Sequence, residues 1–132
     1  MTLDPDRGAS PPPQASPYRL DATALARLQA LDPDGRQGVV LRVLGIFETS
    51  LSRMLVQLAA EREDGDPGVV MFVAHTLKSS SAAVGALALA AACAEVEHRL
   101  RSATAGELHA DVDRLVREGE GALGAVRAML QP

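Results

Sequence analysis

From about residue 18 onward, apolar side chains recur every third or fourth position, and clusters of Gly, Pro and Asp interrupt that rhythm. Asp21 supplies an N-cap, and Ala22, Leu25, Leu28 and Leu31 follow at helical spacing, so a short first helix is expected. The turn formers Asp32, Pro33, Asp34 and Gly35 stop it. A second helix is expected over residues 36–62, because Val40, Val43, Leu44, Phe47, Leu51, Met54, Leu55 and Leu58 share one stripe at about 100° per residue. Gly45 falls on the far side, where it lowers propensity without disturbing packing. Asp64, Gly65, Asp66 and Pro67 close that helix and open the next, with Asp66 as N-cap and Pro67 in the first turn. The third helix should span residues 67–84 and break at Gly85. The fourth should span 86–103 with Leu89, Ala92, Cys93, Val96 and Leu100 facing inward. Thr104 or Gly106 restarts the chain into a fifth helix that packs Leu108, Val112, Leu115, Ala122, Val126 and Leu130, although Gly119, Gly121 and Gly124 lower its propensity.

Four long amphipathic helices joined by short loops imply antiparallel neighbours. The expected fold is therefore all-α, an antiparallel up-and-down four-helix bundle over residues 18–132, with the short extra N-terminal helix as a lid. Composition agrees: Ala and Leu are abundant, while two Phe, one Tyr and no Trp leave few strand formers beyond Val. Residues 1–17 hold five prolines among small and polar neighbours and read as a disordered tail. The tail has no apolar run after a basic start, so it does not read as a secretory signal. Together with the starting Met it favours a free-standing chain over a fragment of a larger hybrid kinase. A formal net charge of -4 argues against nucleic acid or an anionic membrane as the main partner. No segment reaches the roughly 20 apolar residues of a membrane span. The single cysteine, Cys93, excludes an internal disulfide and a thiolate cluster. A cytoplasmic monomer is the expectation.

The third helix carries the candidate chemistry. With His75 set at 0° on a helical wheel, Val69, Val70, Val73, Leu77, Ser80 and Val84 fall between roughly 120° and 220°, which makes them the core stripe. His75 lies opposite and must face solvent or a partner. Met71 and Phe72 sit one turn before it, Lys78 and Ser79 one turn after, and Ala82 and Ala83 continue the same face. An ordinary imidazole, with a pKa of about 6.5, offers a neutral nucleophilic nitrogen near pH 7. Lys78 could offset the charge of a phosphoryl group transferred to it, and Ser79 could add a hydroxyl hydrogen bond. Small side chains in the following turn would let another protein approach the ring. By geometry alone, an exposed histidine on a helix is an ordinary solvated side chain, and Phe72 could equally flank the core. Nothing in the chain binds nucleotide: no Gly-rich loop ends in Lys-Ser/Thr, and no acidic cluster awaits magnesium.

The run from Ala74 through His75, Thr76, Leu77, Lys78, Ser79, Ser80, Ser81, Ala82, Ala83 and Val84 to Gly85 and Ala86 resembles the signature of bacterial histidine-containing phosphotransfer (HPt) domains. Leu89, Cys93, Glu97 and Arg99 resemble that family's next helix, and the likeness extends over about residues 20–130. The resemblance implies a four-helix bundle with His75 as phosphoacceptor and Lys78 beside the phosphoryl group. Ser79 stands where the family often has glycine, a small departure that leaves room for docking. It further implies a phosphoryl carrier rather than an enzyme, with no cofactor of its own and magnesium held by the partner. The partners implied are a response-regulator receiver domain, whose aspartate gives or takes the phosphoryl group, and a hybrid sensor histidine kinase. Met71, Phe72, Ala82 and Ala83 would meet the receiver.

Three rival readings remain. A histidine-kinase dimerisation domain would place an acidic residue after the histidine and a proline soon after; here Thr76 follows and no proline appears before Pro132. A di-metal bundle would use Glu-x-x-His twice, and Glu95 with His98 supplies one copy, pointing away from the Val96 and Leu100 stripe. Glu97 lies at the stripe's edge and reads as a solvated charge that pairs with Arg101 one turn on. His109 reads as surface and Cys93 as a small core filler. The third rival keeps the fold but docks a receiver or another helical partner without phosphotransfer.

Overall fold

The computed structural model describes residues 18–63, 65–102 and 108–131. Among them are five helices: α1 (Ala22–Ala30), α2 (Val39–Ala60), α3 (Pro67–Val84), α4 (Leu87–Arg101) and α5 (Leu108–Leu130). The described residues form no strand. The expected tail, Asp64 and the Thr104 and Gly106 restart lie outside the described residues.

The broadest contacts join α3 to α4 and α2 to α5; α2–α3 and α4–α5 close the ring, and α1 leans on α2 and α3. Helices adjacent in sequence are thus adjacent in space, as short connections require. Leu44, Leu51 and Leu58 of α2, Val70, Val73 and Leu77 of α3, Val96 of α4, and Val112 and Leu115 of α5 are fully buried at the centre. No helix is long and apolar enough to cross a membrane among the described residues.

Local chemistry explains the boundaries. The Asp21 carboxylate accepts the Ala24 amide at 3.0 Å and starts α1. Asp66 accepts the Gly68 amide at 2.8 Å beside Pro67 in the first turn of α3. Gly85 ends α3 at φ +86°, and the Ala86 amide reaches back 2.8 Å to the Ser81 carbonyl. The Gly85 carbonyl also accepts the Asp21 amide at 2.9 Å, so this turn anchors α1 to the bundle.

Several expectations needed correction. Helix α2 begins at Val39 rather than 36, because the Asp32 turn continues further: its carboxylate accepts the Gln37 amide at 3.1 Å and the Val39 amide at 3.2 Å. Asp32 therefore caps a helix whose own N-cap, Gly38, has no side chain. Those amides hold the Asp32 carboxyl below its ordinary value against the opposing effect of burial. Leu31, the C-cap of α1, is 71% exposed and stands outside the core. On α3 the buried stripe is rotated: Ala74 and Ser81 are fully buried, while Val69 and Ser80 are only half-buried. Helix α4 occupies that flank, and small side chains there let it come close. Helix α5 runs unbroken through its glycines. At Gly119 a Cβ would lie 2.5 Å from Leu55 Cδ2, so closeness to α2 offsets the lost propensity.

Candidate functional site

The site is built on the seam between α3 and α4. His75 projects from α3 with its side chain 63% exposed, as the wheel requires. Its Nδ1 lies 2.7 Å from Oε2 of Glu97 on α4, a carboxylate whose side chain is only 2% exposed. Lys78, one turn beyond His75, donates through Nζ to Oε1 of the same carboxylate at 2.6 Å. Arg101, one turn beyond Glu97, donates through Nη2 to Oε2 at 2.7 Å. Three donors thus converge on two buried oxygens, which is what allows a carboxylate to remain charged in an interface.

The electrostatics follow. Hydrogen bonds from Lys78 and His75, reinforced by the charge of Arg101 and opposed by burial, pull the Glu97 carboxyl down to about 2. Glu97 is therefore ionised at neutral pH and can only accept, so the short contact requires a proton on His75 Nδ1. In the neutral ring this leaves the lone pair on Nε2, on the exposed side chain. One carboxylate against two permanent cations leaves a local excess of one positive charge around the ring. An exposed nucleophilic nitrogen, a fixed tautomer and surplus positive charge suit the capture of a phosphoryl group.

Of the residues expected from sequence, the structure brings His75 and Lys78 together through Glu97. Ser79 is exposed on the same face and takes no part in this hydrogen-bonded cluster. Phe72 is 59% exposed, which places it on the surface beside His75 rather than on the flank of the core. Met71 is half-buried, and Ala82 and Ala83 are exposed. Glu97 is the residue of this cluster that sequence reasoning misread as a solvated charge; it is buried. Its position four residues after Cys93 and eight after Leu89 carried the signal, since that spacing puts a charge on the border of an apolar stripe.

The other titratable groups make no ion pair with Glu97 among the described residues. Arg99 pairs with the buried Asp111 and ties α4 to α5. Glu95 pairs with Arg114, and His98 is exposed. His109 is half-exposed, with Nδ1 3.3 Å from the Arg62 carbonyl and Nε2 3.3 Å from Asp113. Cys93 is fully buried, and burial, with Glu97 nearby, pushes its thiol up to about 12. No group of three or more His, Cys, Asp or Glu able to hold a metal ion occurs among the described residues.

Fold and site together define a helical bundle with an exposed histidine oriented by a buried carboxylate. The family model of the Hpt domain matches residues 42–131, and the chain belongs to that family. The chain is similar to histidine-containing phosphotransfer protein B (HptB) of Pseudomonas aeruginosa PAO1, whose crystal structure superposes with a TM-score of 0.71 at 26% identity, covering 86% of this chain and 95% of that one. No curated protein gives a significant match. The protein functions as a histidine-phosphotransfer domain of a two-component phosphorelay, a carrier of the phosphoryl group. Domains of this family work with receiver domains and hybrid kinases.

Proposed function

We propose that His75 is the phosphoacceptor and that the phosphoryl group is carried on Nε2. The observation that carries this reading is the bond from Nδ1 to the buried Glu97, which leaves Nε2 unprotonated on an otherwise exposed ring. The lone pair of Nε2 attacks the phosphorus of a receiver's aspartyl phosphate. A P–N bond forms as the P–O bond to aspartate breaks, and the aspartate leaves as a carboxylate. The proton on Nδ1 stays in place, so the phosphorylated ring becomes cationic and Glu97 stabilises it. Lys78 exchanges its bond to Glu97 for one to a phosphoryl oxygen, while Ser79 offers a hydroxyl to another. Reversal of the same steps passes the group on or back.

Met71, Phe72, Ala82 and Ala83 form the docking face around the ring, with Phe72 as its apolar anchor. The partner is a response-regulator receiver that brings its own magnesium, fed by a hybrid sensor histidine kinase. The protein acts in the cytoplasm as a monomer.

The test mixes the purified protein with a receiver charged with labelled phosphate in magnesium. Wild type should gain acid-labile, alkali-stable label; H75Q should gain none while keeping its helical circular dichroism. K78A should still be labelled, more slowly. Label on H75Q would disprove the assignment, and a folded wild type that accepts nothing from any of several receivers would leave docking without transfer.

A further inference from the structure

Arg101 and His75 compete for one atom. Arg101 Nη2 and His75 Nδ1 each lie 2.7 Å from the same oxygen, Oε2 of Glu97, while Lys78 holds Oε1 alone. An oxygen that accepts from a guanidinium has less charge to offer a second donor, so Arg101 weakens the pull of Glu97 on the imidazolium form of the ring. The guanidinium also repels a protonated ring directly, because both sit against the same atom. We propose that Arg101 is a positioning residue that, by sharing the Glu97 carboxylate, weakens its hold on the protonated form of His75 and so favours the nucleophilic ring.

A buried carboxylate bonded to a histidine would otherwise favour the doubly protonated ring, in which Nε2 has no lone pair. The site needs Glu97 for orientation and must prevent it from making the ring too basic. Arg101 reconciles the two demands: it leaves the Nδ1 contact in place while neutralising part of its charge. The groups that face Glu97 are His75 and Lys78 from α3 and Arg101 from α4, with the Cys93 thiol one turn earlier on α4. Among the described residues, no ion pair reaches Glu97 from α1, α2 or α5. Arg101 is itself 62% exposed on the last turn of α4, so its replacement leaves the core intact.

This inference rests on the assignment of His75 as phosphoacceptor for its meaning, but its test does not need phosphotransfer. The ring of His75 is titrated by nuclear magnetic resonance in the full-length chain. Loss of a unit charge about 5 Å away in a water-like medium raises the titration midpoint by about half a pH unit, and release of the shared Glu97 oxygen adds to it, so R101A should rise by at least that much. The R101K variant, which keeps the charge, should stay near wild type. In an E97Q background only the direct repulsion remains, so the R101A change should move the midpoint less than it does in the wild-type chain. The pH–rate profile of phosphoryl acceptance should shift toward alkali in R101A by the same interval. A midpoint in R101A that is unchanged or lower would overturn the proposal, as would an undiminished shift in the E97Q background, which removes Glu97 from the coupling. If wild type never accepts phosphate yet the midpoint moves as expected, the phosphoacceptor assignment fails and the coupling stands.

Discussion

Ser81 offers a sharp test of the packing that supports the site. Its hydroxyl is fully buried on the α3 flank next to α4 and makes no hydrogen bond. A hydroxyl removed from water without a partner costs roughly 1–3 kcal/mol on the scale of protein mutations. Replacing it with alanine removes that cost and adds about 0.5 kcal/mol of helix propensity. Against this stands the void left by one oxygen, at most about 1 kcal/mol. S81A should therefore be more stable than wild type by about 0.5–2.5 kcal/mol. At roughly 3–5 °C per kcal/mol for a domain of this size, the melting temperature should rise by roughly 2–12 °C. Urea denaturation followed by circular dichroism gives the midpoint and slope; the midpoint should rise at an unchanged slope. A midpoint that stayed put or fell would mean that the hydroxyl has a partner, such as a trapped water or the carbonyl one turn back. The count of opposing terms would then be wrong in its largest member.

Other perturbations probe separate parts of the same framework. Gly85→Ala should destabilise by about 2 kcal/mol, because a non-glycine residue at φ +86° is strained and its Cβ would meet the Asp21 amide at 2.6 Å; a melting temperature within a degree of wild type would contradict the anchoring role of that turn. Cys93 should resist thiol reagents at pH 8 in the native chain and react only on unfolding, since its thiol is buried and raised to about 12; rapid native labelling would show α4 opening locally. The Glu97 carboxyl is held at about 2 in the fold against a reference of 4.5 in the unfolded chain. Its contribution to stability is thus complete above about pH 4.5 and lost as pH falls through about 2. Wild type should lose more stability than E97Q across that window in urea titrations, and parallel curves would mean the carboxylate is not linked to folding.

How far the sequence could be read depended on whether the determinants were local. Helix α3 was legible to the residue because Asp66, Pro67 and Gly85 act on their own turns. The start of α2 was not, since its cap comes from Asp32, seven residues before Val39 and across a turn. The rotation of the α3 stripe toward Ala74 and Ser81 was hidden for a similar reason. A wheel finds the apolar arc of one helix, whereas the buried arc depends on where the neighbour lies, and small residues count as inward only once α4 is placed.

The same limit explains the half of the site that was missed. His75 and Lys78 share α3 and are visible as a pair at i and i+3. Glu97 belongs to them only through the tertiary contact of α4, and on its own helix it falls at a stripe border, where solvent and core are equally consistent. Its burial becomes intelligible when its partners are counted: a carboxylate with one donor in that seam would be costly, but one with three donors is satisfied. That dependence runs in both directions. Helix α3 supplies a ring that any exposed histidine could supply, and helix α4 supplies the charge that fixes which nitrogen carries the proton. The reactivity proposed for the ring therefore belongs to the α3–α4 seam rather than to His75 alone. Side chains as small as Ala74 and Ser81 on that seam let α4 come close enough for Glu97 to reach the ring. A bulky replacement at Ala74 should push the two helices apart and uncouple His75 from Glu97 before it unfolds the bundle. Its signature would be loss of the fixed Nδ1 proton in nitrogen-edited spectra of a protein that remains helical.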